Sequence, residues 1–245
     1  MRHIYLLSAV SFLLHISGYV CVEIIGGKEA VRHSRPYMVF LKHGERACGG
    51  ALIKANWVIT AAHCTLPTRA GAPCPRRTIP PMTSHPTPPT DRGASSRTQL
   101  EKNATLNKFV TILPLPNQEE NVKPKAQCST AGWGVTDVKS NKDSDVLREV
   151  NLTIVDNKVC NKAYSKAKPK VIITSSMICA GPLKKRKDDT CQGDAGGPLI
   201  CDKKFTAIVS FGPKKCGNPK FPGVYTRLTN KYLTWVRDAI GGATF

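Results

Sequence analysis

The sequence predicts an all-β protein closed by a single C-terminal helix. Short apolar or alternating runs recur between turn residues along most of the chain, which is the pattern of antiparallel strands. Only the C-terminal stretch carries apolar residues at helical spacing. A charged fraction of 22% and a hydrophobic fraction of 41% exclude a disordered chain, a coiled coil and a polytopic membrane protein.

The predicted elements are five strands and one helix. The strands cover residues 37–41, 57–62, 150–155, 207–211 and 223–228. The helix is predicted from Tyr232, Trp235, Val236 and Ile240, with Thr229 as a possible N-cap and Gly241 as a possible C-cap.

The N-terminus has the layout of a secretory signal peptide. Arg2 and His3 precede an apolar stretch, residues 4–14, and small residues lead to Cys21. We expect residues 1–21 to be removed. Later segments lack the roughly 18 uninterrupted apolar residues of a membrane span, so the mature protein is expected to be soluble and secreted or lumenal.

The cysteines agree with a secretory route. Ten are present, without the paired spacing of a structural zinc site, which indicates disulfides and an oxidising compartment. Two sequons, at Asn103 and Asn151, are candidate glycosylation sites on the same route.

Residues 65–98 do not fit the strand pattern. These 34 residues hold eight of the chain's 18 prolines and five arginines but no lysine. Proline cannot donate to a β-ladder, so the segment is predicted to be irregular or disordered. It is either a proline-rich linker or a stretch translated from a wrong frame or an intron, and we favour the second.

Four motifs occur in an order that is typical of one family. They are Ile24-Ile25-Gly26-Gly27, Thr60-Ala61-Ala62-His63-Cys64, Gly132-Trp133-Gly134 and the run from Asp189 to Pro198, followed by Ser210-Phe211-Gly212 and Gly223-Val224-Tyr225. Together they resemble the chymotrypsin-like serine proteases, and further details resemble the granzyme subgroup. The resemblance implies two six-stranded antiparallel β-barrels with an active site between them, no cofactor and no metal. Because residues 65–98 replace strands of the first barrel, that barrel is expected to be incomplete.

In this family a Ser attacks the substrate carbonyl, a His takes its proton and an Asp orients the His. His63 matches the position of the base, but Ala195 fills the position of the nucleophile, and a methyl group can neither attack nor give up a proton. The family's Asp is also missing, since the nearest acid, Asp91, is not followed by an apolar strand and we reject it as the orienting residue. The resemblance therefore predicts an inactive homologue.

Other parts of the family's apparatus persist. The backbone N–H groups of Gly193 and residue 195 would form the oxyanion hole. Asp194 would accept the ammonium group of Ile24 once Val22-Glu23 is removed, so the protease domain would begin at residue 24 and run to residue 245.

The specificity pocket can be interpreted by the same resemblance. Asp189 matches the floor of the pocket, and Gly212 and Gly223 match its small walls. A buried carboxylate in a narrow slot selects a Lys or Arg side chain, because a neutral group would leave the charge unpaired.

The family resemblance also implies a disulfide pairing, although eight cysteines alone allow 105 connectivities. The implied pairs are Cys48–Cys64, Cys128–Cys201, Cys160–Cys179 and Cys191–Cys216. Cys74 is left over. A homodimer bridged by a spare cysteine has a precedent in the granzymes, but no matching motif surrounds Cys74.

The charge predicts partners. With 36 Lys and Arg against 17 Asp and Glu, the net charge is +19. The basic residues cluster at 184–187, at Lys166/Lys168/Lys170 and at 214–215. We expect retention on sulfated proteoglycans in a cytolytic granule and no sequence-specific nucleic-acid binding, since no reading helix or aromatic platform is apparent.

Three hypotheses for function follow. The chain is an inactive secreted protease homologue with a pocket for Lys or Arg; or a pseudoprotease that binds basic peptides or sulfated glycans; or the product of a faulty gene model of an active protease that cleaves after Lys or Arg. Reading the transcript across residues 65–98 and at Ala195 decides the third.

Overall fold

The computed structural model describes residues 24–43, 46–64, 82–86, 95–137, 142–167, 170–182, 187–213 and 215–241 of the 245-residue chain. The predicted signal peptide, the dipeptide Val22-Glu23, Cys74 and Asp91 lie outside these residues.

The described residues form fourteen strands, two α-helices and one 3₁₀ turn. The strands are β1 Lys28–Glu29, β2 Met38–His43, β3 Arg46–Lys54, β4 Trp57–Ala61, β5 Met82–Pro86, β6 Ser95–Leu100, β7 Gln127–Gly132, β8 Val135–Asp137, β9 Lys142–Asp143, β10 Arg148–Val155, β11 Met177–Gly181, β12 Pro198–Cys201, β13 Lys204–Phe211 and β14 Gly223–Arg227. The helices are α1 Asn157–Tyr164 and α2 Asn230–Ala239, and the 3₁₀ turn is Ala62–Cys64.

The second half of the chain forms a closed six-stranded barrel. Its strands follow the order β10-β11-β14-β13-β12-β7, and β7 pairs antiparallel with β10 to close the circle, while the short β1 adds to β10. Alternate residues of β10 point inward: Val150, Leu152 and Ile154 are all buried in the barrel core.

The first half forms a curled five-stranded sheet with the order β2-β3-β4-β6-β5. Val39, Leu41, Leu52, Val58 and Leu100 make its own small core. Within the described ranges β2 and β5 are its outer strands and do not pair with each other. The prediction of an all-β, two-barrel fold with an incomplete first barrel is therefore confirmed.

The prediction that residues 65–98 are irregular is wrong for two stretches. Residues 82–86 form β5, and residues 95–98 form most of β6. Proline is tolerated on outer strands, and β5, which carries Pro86, is an outer strand of the described sheet.

One helix was not predicted. Helix α1 follows Asp156, whose carboxylate accepts the backbone N–H groups of Lys158 at 2.8 Å and Val159 at 3.3 Å. These bonds satisfy two donors that the first turn of any helix leaves unpaired.

The predicted C-terminal helix is present as α2. Thr229 is its N-cap and accepts the N–H of Tyr232, and Gly241 follows its end with a positive φ of 91°. Leu233, Val236 and Ile240 pack with residues of both sheets in one cluster, so α2 covers the junction of the two halves.

Four disulfides cross-link the described chain. They join Cys48–Cys64, Cys128–Cys201, Cys160–Cys179 and Cys191–Cys216, the pairs that the resemblance implies. The first holds the 3₁₀ turn to β3, and the last holds the two loops that frame the candidate site.

Candidate active site

His63 lies at the edge of the first sheet. It sits in the 3₁₀ turn directly after β4, whose five residues are all buried, and its neighbour Cys64 is fixed by the disulfide to Cys48. The His63 side chain is exposed on one side, while desolvation of the rest of the ring lowers its pKa. Within the part of the chain that the structure describes, no residue hydrogen-bonds to the ring.

Ala195 lies on the facing edge of the second barrel. It belongs to a tight loop in which Asp194 donates its N–H to the carbonyl of Cys191 at 3.1 Å and Gly197 donates to the carbonyl of Asp194 at 3.0 Å. Gly49 of β3 donates its N–H to the Ala195 carbonyl at 2.7 Å. The loop of Ala195 is thereby bound to the strand whose Cys48 anchors the His63 turn.

Gly196 allows this close approach between the two halves. Its φ is 89°, and a Cβ atom at this position would collide with the Thr60 hydroxyl and the Gly49 carbonyl oxygen. The Thr60 hydroxyl itself donates to the Gly49 carbonyl at 2.7 Å. Thr60 and Gly49 therefore help to position the site, and the sequence argument did not single them out.

The loop also presents two backbone donors. Gly193 has a φ of 94°, and neither its N–H nor that of Ala195 donates to another residue among those described. Two unpaired N–H groups in one tight loop are the elements from which an oxyanion hole can form. This donor pair is a property of the backbone, so replacing a side chain at position 195 leaves it in place.

Asp194 is completely buried behind this loop. Its Oδ1 accepts the N–H of Gly134 at 2.8 Å and its Oδ2 accepts the N–H of Cys191 at 2.9 Å. Burial raises the pKa of Asp194 to about 7, although the two N–H bonds favour the charged form. The glycines of Gly132-Trp133-Gly134 are required here, because a Cβ at either would collide with the Asp194 carboxylate.

The segment that begins at Ile24 docks beside the same loop. The Ile24 side chain is fully buried in the core of the second barrel. The Ile25 carbonyl accepts the backbone N–H of Asp189 at 2.9 Å. The start of the predicted mature chain is thus packed against the segment that carries Asp189 and Asp194.

Asp189 provides a buried carboxylate with one unused oxygen. Only 2% of the residue is exposed, and Oδ2 accepts the N–H of Gly217 at 2.8 Å, while Oδ1 has no hydrogen-bond partner. Burial raises the pKa of Asp189 to about 7, against the effect of its backbone hydrogen bonds. An unpaired buried carboxylate oxygen is costly unless a cation approaches it.

Two glycines lie beside Asp189 and place no side chain against it. A Cβ on Gly223 would lie 3.2 Å from Asp189 Oδ1, and a Cβ on Gly212 would lie 3.9 Å from the Gly223 Cα atom. Tyr225 completes the surroundings, since its buried hydroxyl is 3.2 Å from the Thr190 hydroxyl. Sequence reasoning missed this tyrosine, although it stands in the quoted Gly223-Val224-Tyr225 motif.

One group of metal-ligand side chains was found in the described ranges. The ligand atoms of Cys48, His63 and Cys64 lie within 4.8 Å of one another. Both sulfurs belong to a disulfide and are not thiolates, so the group is not a metal site.

Comparison with known proteins fits this geometry. The trypsin family model matches residues 24–236. The chain belongs to the trypsin family. It is 44% identical over 238 residues to granzyme A of Bos taurus, which covers 91% of this chain and 90% of that protein. It is 34% identical to kallikrein-1 of Mus musculus, with coverage of 89% and 90%.

A solved structure supports the same assignment. Neuropsin, described as a serine protease expressed in the limbic system of mouse brain, superposes with a TM-score of 0.75. It is 32% identical in sequence and covers 87% of this chain and 98% of its own. The chain is thus a granzyme-A-like homologue of the trypsin-family serine proteases, as the motifs predicted.

Proposed function

We propose that the mature chain is a secreted, granzyme-A-like protease homologue that does not cleave peptides but binds Lys or Arg side chains in its pocket. The proposal that the chain does not cleave peptides rests on Ala195. The loop around it has the shape and donors of an acyl-transfer site, but its methyl group offers no nucleophile. The lack of a described partner for His63 supports the same conclusion. In this mechanism, loss of one member of the triad costs nearly as much activity as loss of all.

The test of inactivity uses purified protein that begins at Ile24. We expect hydrolysis of a lysine thioester at the background rate and no covalent labelling by a fluorophosphonate, which reacts with activated serine. The catalytically competent control is a granzyme A prepared in the same way. Turnover by the unmodified chain at a typical protease rate of about 1–1000 per second would contradict the proposal.

The pocket for Lys or Arg rests on Asp189 and the glycines beside it. The unpaired Oδ1 of Asp189 and the absence of a side chain at Gly223 suit a planar amidinium or guanidinium group, which donates two parallel hydrogen bonds to a carboxylate. We expect saturable binding of p-aminobenzamidine, an arginine mimic, and its loss in Asp189→Ser. Retained binding in that variant would place the ligand elsewhere.

Processing of the N-terminus is part of the proposal. We infer that residues 1–21 act as a signal peptide, that Val22-Glu23 is then removed and that the new Ile24 ammonium pairs with Asp194. Ile24 is buried, and Asp194 is fully buried with no ion pair among the described residues, which supports this pairing. Four disulfides support a secretory route. N-terminal sequencing of secreted protein tests it, and a chain that starts elsewhere would contradict it.

Binding to sulfated glycans is a second candidate function, favoured by the net charge of +19. Lys166, Lys170, Lys187 and Lys215 are exposed, while the other members of their clusters lie outside the described residues. We expect elution from a heparin column well above physiological salt. Elution below it would remove this candidate.

Two surface features remain proposals. Asn103 and Asn151 are both exposed, which suits glycan attachment. Mass spectrometry of protein from mammalian cells tests both sites.

No described helix is long and apolar enough to cross a membrane.

A further inference from the structure

Helix α1 presents a ridge of lysines to solvent. Lys158 and Lys162 lie four residues apart on the helix, and Lys166 follows after four more, in the turn that continues it. Residues four apart share one face of a helix, and all three lysines are exposed. The opposite face packs inward, where Cys160 and Tyr164 are buried.

Two exposed apolar side chains flank this ridge. Val159 lies three residues before Lys162, so it stands beside the lysines, and it is 61% exposed. Ile172 is 66% exposed and lies on the other side, because its neighbour Ile173 donates its N–H to the Asn161 side chain at 3.2 Å. On the helix, the lysines lie between Asn161 and Val159. We call this surface the α1 face; its members are Lys158, Val159, Lys162, Lys166 and Ile172.

The lysines of the α1 face form no ion pair with a described residue. Residues 157–181 contain five lysines and no Asp or Glu. The preceding acid is Asp156, whose carboxylate accepts the backbone N–H groups of Lys158 and Val159. Lys125 adds an exposed cation at this end, since its N–H donates to the carbonyl of Ile154 at 2.8 Å. The α1 face therefore attracts anions.

The α1 face is held in place before any partner binds. The disulfide Cys160–Cys179 joins α1 to β11, and the Tyr164 hydroxyl donates to the Pro222 carbonyl at 2.7 Å. A surface that is already ordered loses little conformational entropy when it binds.

The apolar side chains decide between the anionic partners. A sulfated glycan would pair with the lysines but has no apolar region to receive Val159 and Ile172. The surface of an anionic bilayer offers both, because its headgroups attract lysines and its acyl boundary receives apolar side chains. The long lysine stems can lie along the apolar boundary while their ammonium groups stay among the headgroups.

We propose that the α1 face binds the surface of an anionic phospholipid bilayer. Val159 and Ile172 enter the boundary between headgroups and acyl chains, and the lysines lie among the headgroups. This binding is peripheral, and it goes beyond the proposed function because it requires neither the Asp189 pocket nor the loss of cleavage.

Vesicle sedimentation tests the proposal with protein that begins at Ile24. The vesicles contain about 30% phosphatidylserine in phosphatidylcholine, and the control vesicles contain phosphatidylcholine alone. At about 0.15 M salt we expect saturable binding to the anionic vesicles, at least tenfold stronger than binding to the neutral ones, and weaker binding at about 0.5 M salt. Asp189→Ser should leave this binding unchanged, so the proposal and the pocket fail independently.

A first pair of variants tests the apolar contribution. Val159→Gln/Ile172→Gln keeps the charge and alters only exposed side chains, so we expect at least tenfold weaker binding to anionic vesicles and unchanged binding to heparin. The matched control is Val31→Gln, which alters a 69% exposed valine outside the α1 face and should leave both affinities unchanged.

A second pair of variants tests the position of the charges. Lys162→Gln/Lys166→Gln removes two cations from the α1 face, and at about fivefold per lysine we expect at least tenfold weaker binding to anionic vesicles. Lys42→Gln/Lys102→Gln removes the same charge from exposed positions of the first half and should weaken binding much less.

Three results would overturn the proposal. Vesicle binding by Val159→Gln/Ile172→Gln as tight as that of the parent chain would show that no apolar side chain enters the bilayer. Equal weakening by the two lysine pairs would reduce the binding to attraction by net charge. Heparin binding that depends on Lys162 and Lys166, without vesicle binding, would assign the α1 face to sulfated glycans instead.

Discussion

Ala195 stands where the family resemblance implies the nucleophile, and its methyl group offers none. The N–H groups of Gly193 and Ala195 remain unpaired among the described residues, and Gly196 keeps its positive φ. Under the proposed function, the alanine at position 195 removes the nucleophile and leaves the backbone of the site in place. A site of this kind can still bind what its pocket recognises.

Restoring the hydroxyl alone is expected to restore little activity. In Ala195→Ser, His63 would still have no carboxylate partner among the described residues, and loss of that group alone lowers turnover by about 10⁴-fold in this mechanism. We expect ester hydrolysis by Ala195→Ser at about that fraction of the rate of granzyme A. Full activity would show that a carboxylate reaches His63 after all.

The pocket is expected to lose its affinity for cations in acid. Because burial raises the pKa of Asp189 to about 7 in the empty pocket, its carboxyl group is neutral below that pH and charged above it. Benzamidine stays cationic throughout, so its affinity should fall about tenfold per pH unit below about 7. Titration calorimetry from pH 5 to 8 measures this, with Asp189→Asn as a weak-binding control that should show no such slope. A constant affinity across this range would contradict the prediction.

At the scale of elements, the strands that the sequence predicted are those with a clear pattern. Alternation in 150–155 and continuous apolar character in 57–62 locate β10 and β4 within a residue or two of their observed bounds. The resemblance supplied what pattern could not, namely the closure of the second barrel and the pairing of eight cysteines. Long-range pairing of this kind leaves no trace in local periodicity.

Helix α1 is an element that local sequence pattern did not predict. Its sequence, NKVCNKAY, contains asparagines and β-branched or small residues with modest helix propensity. The helix is instead stabilised by its cap and by tertiary contacts, since Cys160 is bridged to Cys179 and the Tyr164 hydroxyl donates to the Pro222 carbonyl at 2.7 Å.

The cap of α1 can be tested by itself. Replacing Asp156 with Ala leaves two backbone donors without their partner, so we expect a loss of about 1 kcal/mol in the free energy of unfolding. Urea denaturation measures this, and Asp156→Asn, which keeps a capping oxygen, should recover most of the loss. Equal stability of the Ala variant and the parent chain would contradict the role of the cap.

For the whole molecule, the two halves are expected to differ in resistance to proteolysis. The second half is a closed barrel crossed by the Cys128–Cys201 disulfide, whereas the first is a sheet with two outer strands among its described residues. We expect limited proteolysis to cut first within residues 65–98 and to leave the second half intact, as read by mass spectrometry after reduction. First cuts within β7 to β14 would contradict this.

The stability of the unprocessed chain is expected to be greater in mild acid. Asp189 and Asp194 both have a pKa raised from 3.8 to about 7 in the folded chain, so folding binds protons between these values. The stabilisation is complete below about pH 4 and is lost as the pH rises through 7. Urea midpoints at pH 5 and 8 measure the change, and Asp189→Asn should reduce it. If the difference between the urea midpoints at pH 5 and pH 8 is the same in Asp189→Asn as in the parent chain, the Asp189 carboxyl group does not contribute to it.

Under the proposed function, this member of the trypsin family binds a basic side chain without cleaving it. One preparation of protein beginning at Ile24 tests both halves of the claim with an arginine-containing peptide, its binding followed by calorimetry and its integrity by mass spectrometry. We predict saturable binding, lost in Asp189→Ser, and an intact peptide after prolonged incubation. Cleavage after the arginine, or no binding at all, would contradict it.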